Sequence, residues 1–399
     1  MQQKPLQSSN TEGKQTNTSA TSETSRINGN RMLQRFQQLV EADSPSFGER
    51  QVCERVKQML EELGLCPEED QAAAAIGGDT GNLYTFVEGE GALRTLPPLL
   101  FCAHMDTVEP SRGKRAVIHE DGRITSGGDT VLGADDVSAL TAILEALACL
   151  REQKLPHRPL ELVFSVAEEP YCAGISAFDF SRLQSREAYV LDLTGPVGGA
   201  ALAAPTLLTF RAVFHGRAAH AGFAPEEGIH AIKAAGLAVS RIACGHVDAD
   251  TTVNIGTITG GTGDNIVPER CILTGEVRSF DDAKAVTVLE DLKKTLADCA
   301  KAFHGTVEIE TARHITAYRT QKDSPVVRRF LSACEAEGLR SMLTDTHGGS
   351  DNNHLALHGI QGIVLATAMN NCHSCAEYTS VQELARISSL TLRLMCAET

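Results

Sequence analysis

Tryptophan is absent from this 399-residue chain, and aromatic residues make up only 5% of it. Basic residues are also scarce: 36 Lys and Arg stand against 51 Asp and Glu, a formal net charge of -15, and no Lys/Arg block stands out. Nucleic acid is therefore excluded as a partner, because binding it needs clustered cations that displace its counterions. No apolar run reaches membrane-spanning length, which excludes a membrane partner. Residues 1–30 hold almost no apolar residue and lack the apolar centre of a signal peptide, so the expected compartment is the cytoplasm. The same stretch cannot bury enough surface to order itself and reads as a disordered polar tail. What remains is 42% hydrophobic and 22% charged, suited to a soluble chain with a sizeable core and two domains. Twelve cysteines lie mostly in apolar periodic segments, as expected of reduced, buried thiols. Cys372 and Cys375 form a C-x-x-C with no second pair, which argues against a structural zinc site.

The pattern from Met32 to Leu65 predicts two helices, broken at Ser44-Pro45-Ser46 and stopped at Gly64. Strands are predicted over 82–87 and 98–103, and a loop or hairpin over 111–132. A helix then opens at Asp135, with apolar positions 137, 140, 143, 144, 147 and 150 on a 3.6-residue period. Continuous apolar runs at 160–166 and 188–193 read as strands covered on both faces. After Gly199 the texture changes. Strands are predicted at 206–214, 252–259, 272–280 and 306–311, with helices at 225–244 and 283–303. The first style then resumes with a helix over 325–337, a strand over 363–369 and a last helix whose Ser380-x-x-Glu383 reads as a capping box. This order predicts an α/β domain with a mixed sheet flanked by helices, built from 31–203 and 316–399. An α+β insert at 204–315 interrupts it.

Five places put metal-ligand residue types at a strand end or helix start: His104 with Asp106, Asp135 with Asp136, Glu168 with Glu169, Asp192, and His373. In α/β sheets the carboxyl ends of the strands are where loops converge on ligands, so distant positions can share one site. Each has an ordinary alternative. A single His is commonly structural, Asp135 or Asp192 would serve as a helix cap, and Glu168-Glu169 would suit a solvated turn.

In that order the motifs FCAHMDTV, LGADDVSAL, AEEPYCAG, YVLDLTGP and CHSCAEYTS resemble the M20 metallopeptidase family, and within it the peptidase T-like (tripeptide aminopeptidase) branch. GRAAHAGFAPEEGIHAI and GGTGDNIVPERC resemble its lid signatures, and the likeness runs from about Met32 to the C-terminus. It implies a zinc-exopeptidase-type catalytic domain with an inserted lid/dimerisation domain, a short-peptide substrate, and a homodimer formed through the lid. Two Zn2+ per subunit are implied, with Co2+ or Mn2+ as substitutes. Asp135 would bridge them, His104 and Asp192 completing one ligand set and Glu169 and His373 the other. Asp106 would orient His104. Glu168 would be the general base that activates a metal-bridging water and later protonates the leaving amine.

The lid would supply His220 to polarise the scissile carbonyl, often in the partner subunit's site. Asn265 and Arg278 resemble substrate-binding positions, Arg278 as a bidentate grip on carboxylate; a turn residue and a strand-face charge are their plain alternatives. Gly349, Ser350 and Asp351 resemble the Gly-Gly-Ser/Thr-Asp loop that approaches substrate closely. Two departures stand out: Val137 replaces a frequent Lys, and Pro170-Tyr171 replaces a frequent Val-Gly and is expected to reshape the pocket wall. Asp192, where other members carry Glu, favours cleavage from the amino end. Dipeptidase, carboxypeptidase and N-acyl-amino-acid amidohydrolase activities use the same metals and stay open beside tripeptide hydrolysis, as does a non-catalytic binding role on this scaffold.

Overall fold

A computed structural model describes residues 27–398. Most of the stretch read as a polar tail therefore lies outside the described residues, but its end does not. Ile27 is buried, and the Asn28 side chain accepts the Arg31 N–H at the start of helix Gly29–Val40, so order begins several residues before Met32. The second predicted helix is Arg50–Glu62, and the Ser44-Pro45-Ser46 break separates the two.

The larger sheet has eight strands in the spatial order Glu68–Glu69, Leu83–Val87, Leu160–Ser165, Leu99–His104, Glu187–Leu193, Gln361–Ala366, Gly199–Ala201 and Met342–Thr344. Its centre is parallel: Leu99–His104 pairs in parallel with both Leu160–Ser165 and Glu187–Leu193, and the latter pairs in parallel with Gln361–Ala366. Leu83–Val87 and Gly199–Ala201 add antiparallel pairs on either side, so the sheet is mixed. The continuous apolar runs are buried at every position in Leu99–His104 and Leu160–Ser165, as strands covered on both faces must be. Helix Ala134–Gln153 lies across one face and packs against Gly29–Val40 and Val381–Met395. Its Leu140, Ile143, Leu144 and Leu147 are essentially inaccessible, each burial stabilising the fold by ~2 kcal/mol. Helix Asn352–Leu357 covers part of the other face.

The turn-rich excursion forms an antiparallel hairpin, Ala116–Ile118 with Arg123–Ser126, joined by Tyr378–Ser380. At the last helix only half of the capping box forms. Ser380 Oγ accepts the Glu383 N–H, but the Glu383 carboxylate accepts from the Val197 N–H instead of turning back.

The second sheet is antiparallel, ordered Gly245–His246, Thr251–Gly260, Arg270–Ser279, Thr206–His215 and Thr306–Ile315. Helices Ala231–Arg241 and Asp282–Ala302 cover one face, burying Phe210, Phe214, Leu273 and Leu296. The helix predicted over 225–244 is shorter because its first turn is a separate 3-10 turn, Pro225–Glu227, after which Gly228 is extended. None of the twelve cysteines forms a disulfide, and seven are buried as expected, whereas Cys66, Cys244 and Cys375 are exposed. Among the described residues no helix is long and apolar enough to cross a membrane.

Candidate active site

The parallel strands bring their carboxyl ends to one edge, and the predicted residues meet there. His104 closes strand Leu99–His104, Asp192 sits near the end of Glu187–Leu193, Glu168 and Glu169 follow Leu160–Ser165, and His373 follows Gln361–Ala366. Asp135 enters from the start of the central helix, where its backbone departs from helical geometry (φ -83°, ψ 96°) and its peptide bond to Asp136 is cis. It is not a cap: one carboxylate oxygen lies 3.0 Å from His104 Nε2 and the other 3.3 Å from His373 Nε2. His104 Nε2 is also 3.9 Å from Asp192 Oδ1, and His373 Nε2 is 3.1 Å from Glu169 Oε2. Ligand atoms of His104, Asp135 and Glu169 cluster within 4.8 Å of one another, as do those of His104, Glu168 and Asp192.

Asp106 holds two parts of this arrangement at once. Its Oδ1 is 3.3 Å from His104 Nδ1 and accepts the Glu168 N–H at 2.9 Å, while its Oδ2 accepts the Glu169 N–H at 3.2 Å and the Ser46 hydroxyl at 2.7 Å. The carboxylate thus orients the imidazole and also shapes the Glu-Glu turn. Two further buried acids, not singled out from sequence, do comparable work. Glu377 accepts the N–H groups of Gly133 and Asp135 at 2.7 and 2.9 Å, tying Asp135 to the loop that carries His373. Glu49 accepts the Ala167 N–H at 2.9 Å, directly before Glu168. Asp136 points inward, and its Oδ2 accepts the His104 N–H at 3.2 Å.

Crowded carboxylates set the electrostatics. Burial, then the charge of Asp192, holds the Glu168 carboxyl well above the usual range, with Asp351 and Glu169 adding to it. Burial likewise raises Asp192, with Asp135 and Asp136 contributing. Burial opposes ionisation of Asp135 too, but its bonds to His104 and His373 outweigh that and hold it low. Its contact with Asp135, and next that with Glu169, pushes His373 up to about 10. A cluster with this surplus of negative charge suits divalent cations.

The remaining predicted residues divide. Arg278 and Gly349 line the pocket of about 210 Å3 together with Glu168, Glu169, Asp192 and His373. Arg278 is already engaged: Nε and Nη2 donate to Glu276 at 2.9 and 3.2 Å, and Nη1 donates to the His347 carbonyl at 2.8 Å. Ser350 and Asp351, expected to touch substrate, are 2% exposed and do not line the pocket. Asp351 lies beneath it, accepting the Ser165 hydroxyl and the Cys102 thiol. His220 and Asn265 sit side by side on the lid, the Ala221 N–H donating to the Asn265 carbonyl, and both are exposed away from this chain's pocket.

Residues 202–304 match the model of the M20 peptidase dimerisation domain, and residues 86–203 match that of peptidase family M28. The solved tripeptidase of Staphylococcus aureus is 31% identical, with a TM-score of 0.89 over 93% of this chain and 98% of that one. The aminopeptidase PepT of Bacillus cereus is 33% identical, with a TM-score of 0.85 over the same shares. The chain belongs to the M20 peptidases, in the peptidase T-like branch. It is thus a hydrolase of the metallopeptidase class. The uncharacterized protein YqjE of Bacillus subtilis is also similar, 34% identical over 369 residues, which span 92% of this M20 peptidase and 98% of that protein.

Proposed function

We propose that this M20 peptidase is a two-zinc aminopeptidase that cleaves tripeptides in the cytoplasm. The observation that carries the reading is Asp135, whose two oxygens face different imidazoles, each backed by one further carboxylate. The donor set fits: imidazole and carboxylate are zinc ligands that Co2+ and Mn2+ also accept. Glu169 Oε1 is buried without a hydrogen-bond partner, an acceptor that a cation would satisfy. When bound, such a pair supplies Lewis-acid polarisation of the scissile carbonyl and lowers the pKa of water.

The chain's own groups do the rest. Asp106 keeps the proton on His104 Nδ1, leaving the Nε2 lone pair directed into the site. Glu168, at the pocket wall and unshared with either imidazole, takes the proton of the attacking water and returns it to the leaving amine. Because His220 and Asn265 are remote from this pocket, they would act in a second copy's pocket, with His220 polarising the carbonyl there. The match to a dimerisation domain supports that reading. Cleavage from the amino end is supported by the likeness to the tripeptidase and to PepT, and by Asp192. Twelve cysteines without a disulfide suit a reducing compartment.

The test is a panel of di- and tripeptides with free and blocked termini, run on zinc-loaded wild type and Glu168→Gln. Turnover of free-amine tripeptides, lost in Glu168→Gln with two zinc ions per chain retained, is the expected result. Cleavage confined to N-blocked peptides, or activity surviving exhaustive chelation, would overturn it.

A further inference from the structure

The metal pocket, at about 210 Å3, is smaller than the ~300–1,000 Å3 of ordinary small-ligand sites. Beside it lies a larger cavity of about 500 Å3, built on the face of the lid sheet that no helix covers. One residue, Tyr171, lines both. The ring of Tyr171 stacks on His314 of the lid with centroids 4.1 Å apart and planes 25° apart, and the His314 ring is itself bonded to Thr209 Oγ1 at 2.8 Å. Tyr171 thus reaches from the Glu-Glu loop of the catalytic sheet to the lid.

Its backbone makes this conspicuous. Tyr171 has φ +68° and Cys172 has φ +57°, a left-handed conformation that glycine adopts freely and a bulky residue does not. A 44% exposed aromatic ring held there against its backbone preference is placed for contact rather than for packing. The cavity beyond it is mixed in character and carries both signs of charge: Arg211 and Glu310, opposite each other on neighbouring strands, pair at 3.4 Å along its lining, with Glu276 and Thr274 alongside. Such a wall suits the amides of a peptide, with Arg211 the one cation in the lining that a terminal carboxylate would draw from its pair with Glu310.

Resting on the short-peptide hydrolysis argued above, we propose that the cavity on the open face of the lid sheet is the outer half of the substrate site. Tyr171, at its boundary, is a specificity-determining residue that selects peptides by length. The reacting bond lies over the metal ligands, and the residue farthest from it passes the Tyr171 ring and enters the lid cavity. A dipeptide ends before that point.

Two variants and one spectroscopic reporter test this on the zinc-loaded full chain. Gly256 lines the cavity, and a Cβ added there meets nothing closer than 3.9 Å, so Gly256→Phe introduces a large side chain at the lining without a clash at its Cβ. Tyr171→Gly removes the ring at a position whose φ suits glycine. Tyr171→Trp, combined with Glu168→Gln to stop turnover, places a single tryptophan in a chain that has none. Gly256→Phe is expected to lower kcat/KM for tripeptides by about tenfold or more, and to leave dipeptides within about twofold. Tyr171→Gly narrows the tripeptide preference by a similar factor, through KM rather than kcat. The emission of the tryptophan variant shifts with a tripeptide and not with a dipeptide. Equal effects on both lengths, or none in variants that melt like wild type, would overturn the proposal. A wild type that accepts only N-blocked peptides would overturn the aminopeptidase reading alone, because length is compared within whichever series is cleaved.

Discussion

Replacing Asp106 separates two jobs that one buried carboxylate performs. One oxygen accepts the Glu168 N–H at 2.9 Å and the other the Glu169 N–H at 3.2 Å. An asparagine has only one acceptor oxygen, so in either amide orientation its NH2 faces one of these two backbone donors. Leaving one buried N–H without an acceptor costs about 2 kcal/mol. The imidazole fares better, because His104 Nδ1 also lies 3.1 Å from the main-chain carbonyl of Asp106, which survives any substitution and preserves the tautomer. Asp106→Asn is therefore expected to keep its metal when loaded with zinc while the Glu168–Glu169 turn loosens and kcat falls by about 100-fold. Asp106→Ala removes the acceptor for both backbone donors and the Ser46 hydroxyl, a loss on the order of 5 kcal/mol.

Urea unfolding in the presence of a chelator isolates these terms from metal linkage, and elemental analysis reads the zinc separately. The order wild type, Asn, Ala in unfolding free energy, with zinc retained in the Asn variant, is the expected outcome. An Asn variant with wild-type stability and rate would refute the turn argument. One that keeps its stability and loses zinc would place the role of Asp106 on the imidazole instead.

Glu377→Gln meets the same difficulty at Gly133 and Asp135, and should lose about 1–3 kcal/mol and release zinc more readily to a chromophoric chelator. Lys114 is 1% exposed, and burial lowers its pKa to about 8. The folded state thus binds fewer protons than the unfolded state between about pH 8 and 10.5, and stability should rise with pH across that window. Lys114→Met should abolish that rise in chemical denaturation and be the more favourable side chain below pH 8. A Cβ at Gly174 would sit 1.9 Å from the Val166 carbonyl oxygen, so Gly174→Ala must displace the loop carrying Glu168. We expect about 3 kcal/mol of destabilisation and loss of peptidase activity, read by unfolding and by steady-state rates.

What could be read from the chain follows from what each signal depends on. His104, Glu168 and Asp192 were visible because each stands at or just after a continuous apolar run, and parallel strands deliver such ends to one edge whatever their spacing in sequence. Asp135, ambiguous as a cap, was resolved by the two imidazoles that face it. Glu49 and Glu377 were not legible, since what ties them to the site is backbone N–H groups more than 100 residues away, and backbone donors carry no residue signature. Strands Gly199–Ala201 and Met342–Thr344 escaped for another reason: three residues are too few to show alternation, and their pairing partners alone define them. Asp351 shows the converse limit, for a loop motif locates a backbone but does not say which side chains turn into the core. Tyr171 combines both situations. Its departure from the expected glycine was plain in the sequence. Its consequence was not, because the ring acquires meaning only when the lid strand Thr306–Ile315 brings His314 to within stacking distance across the cleft.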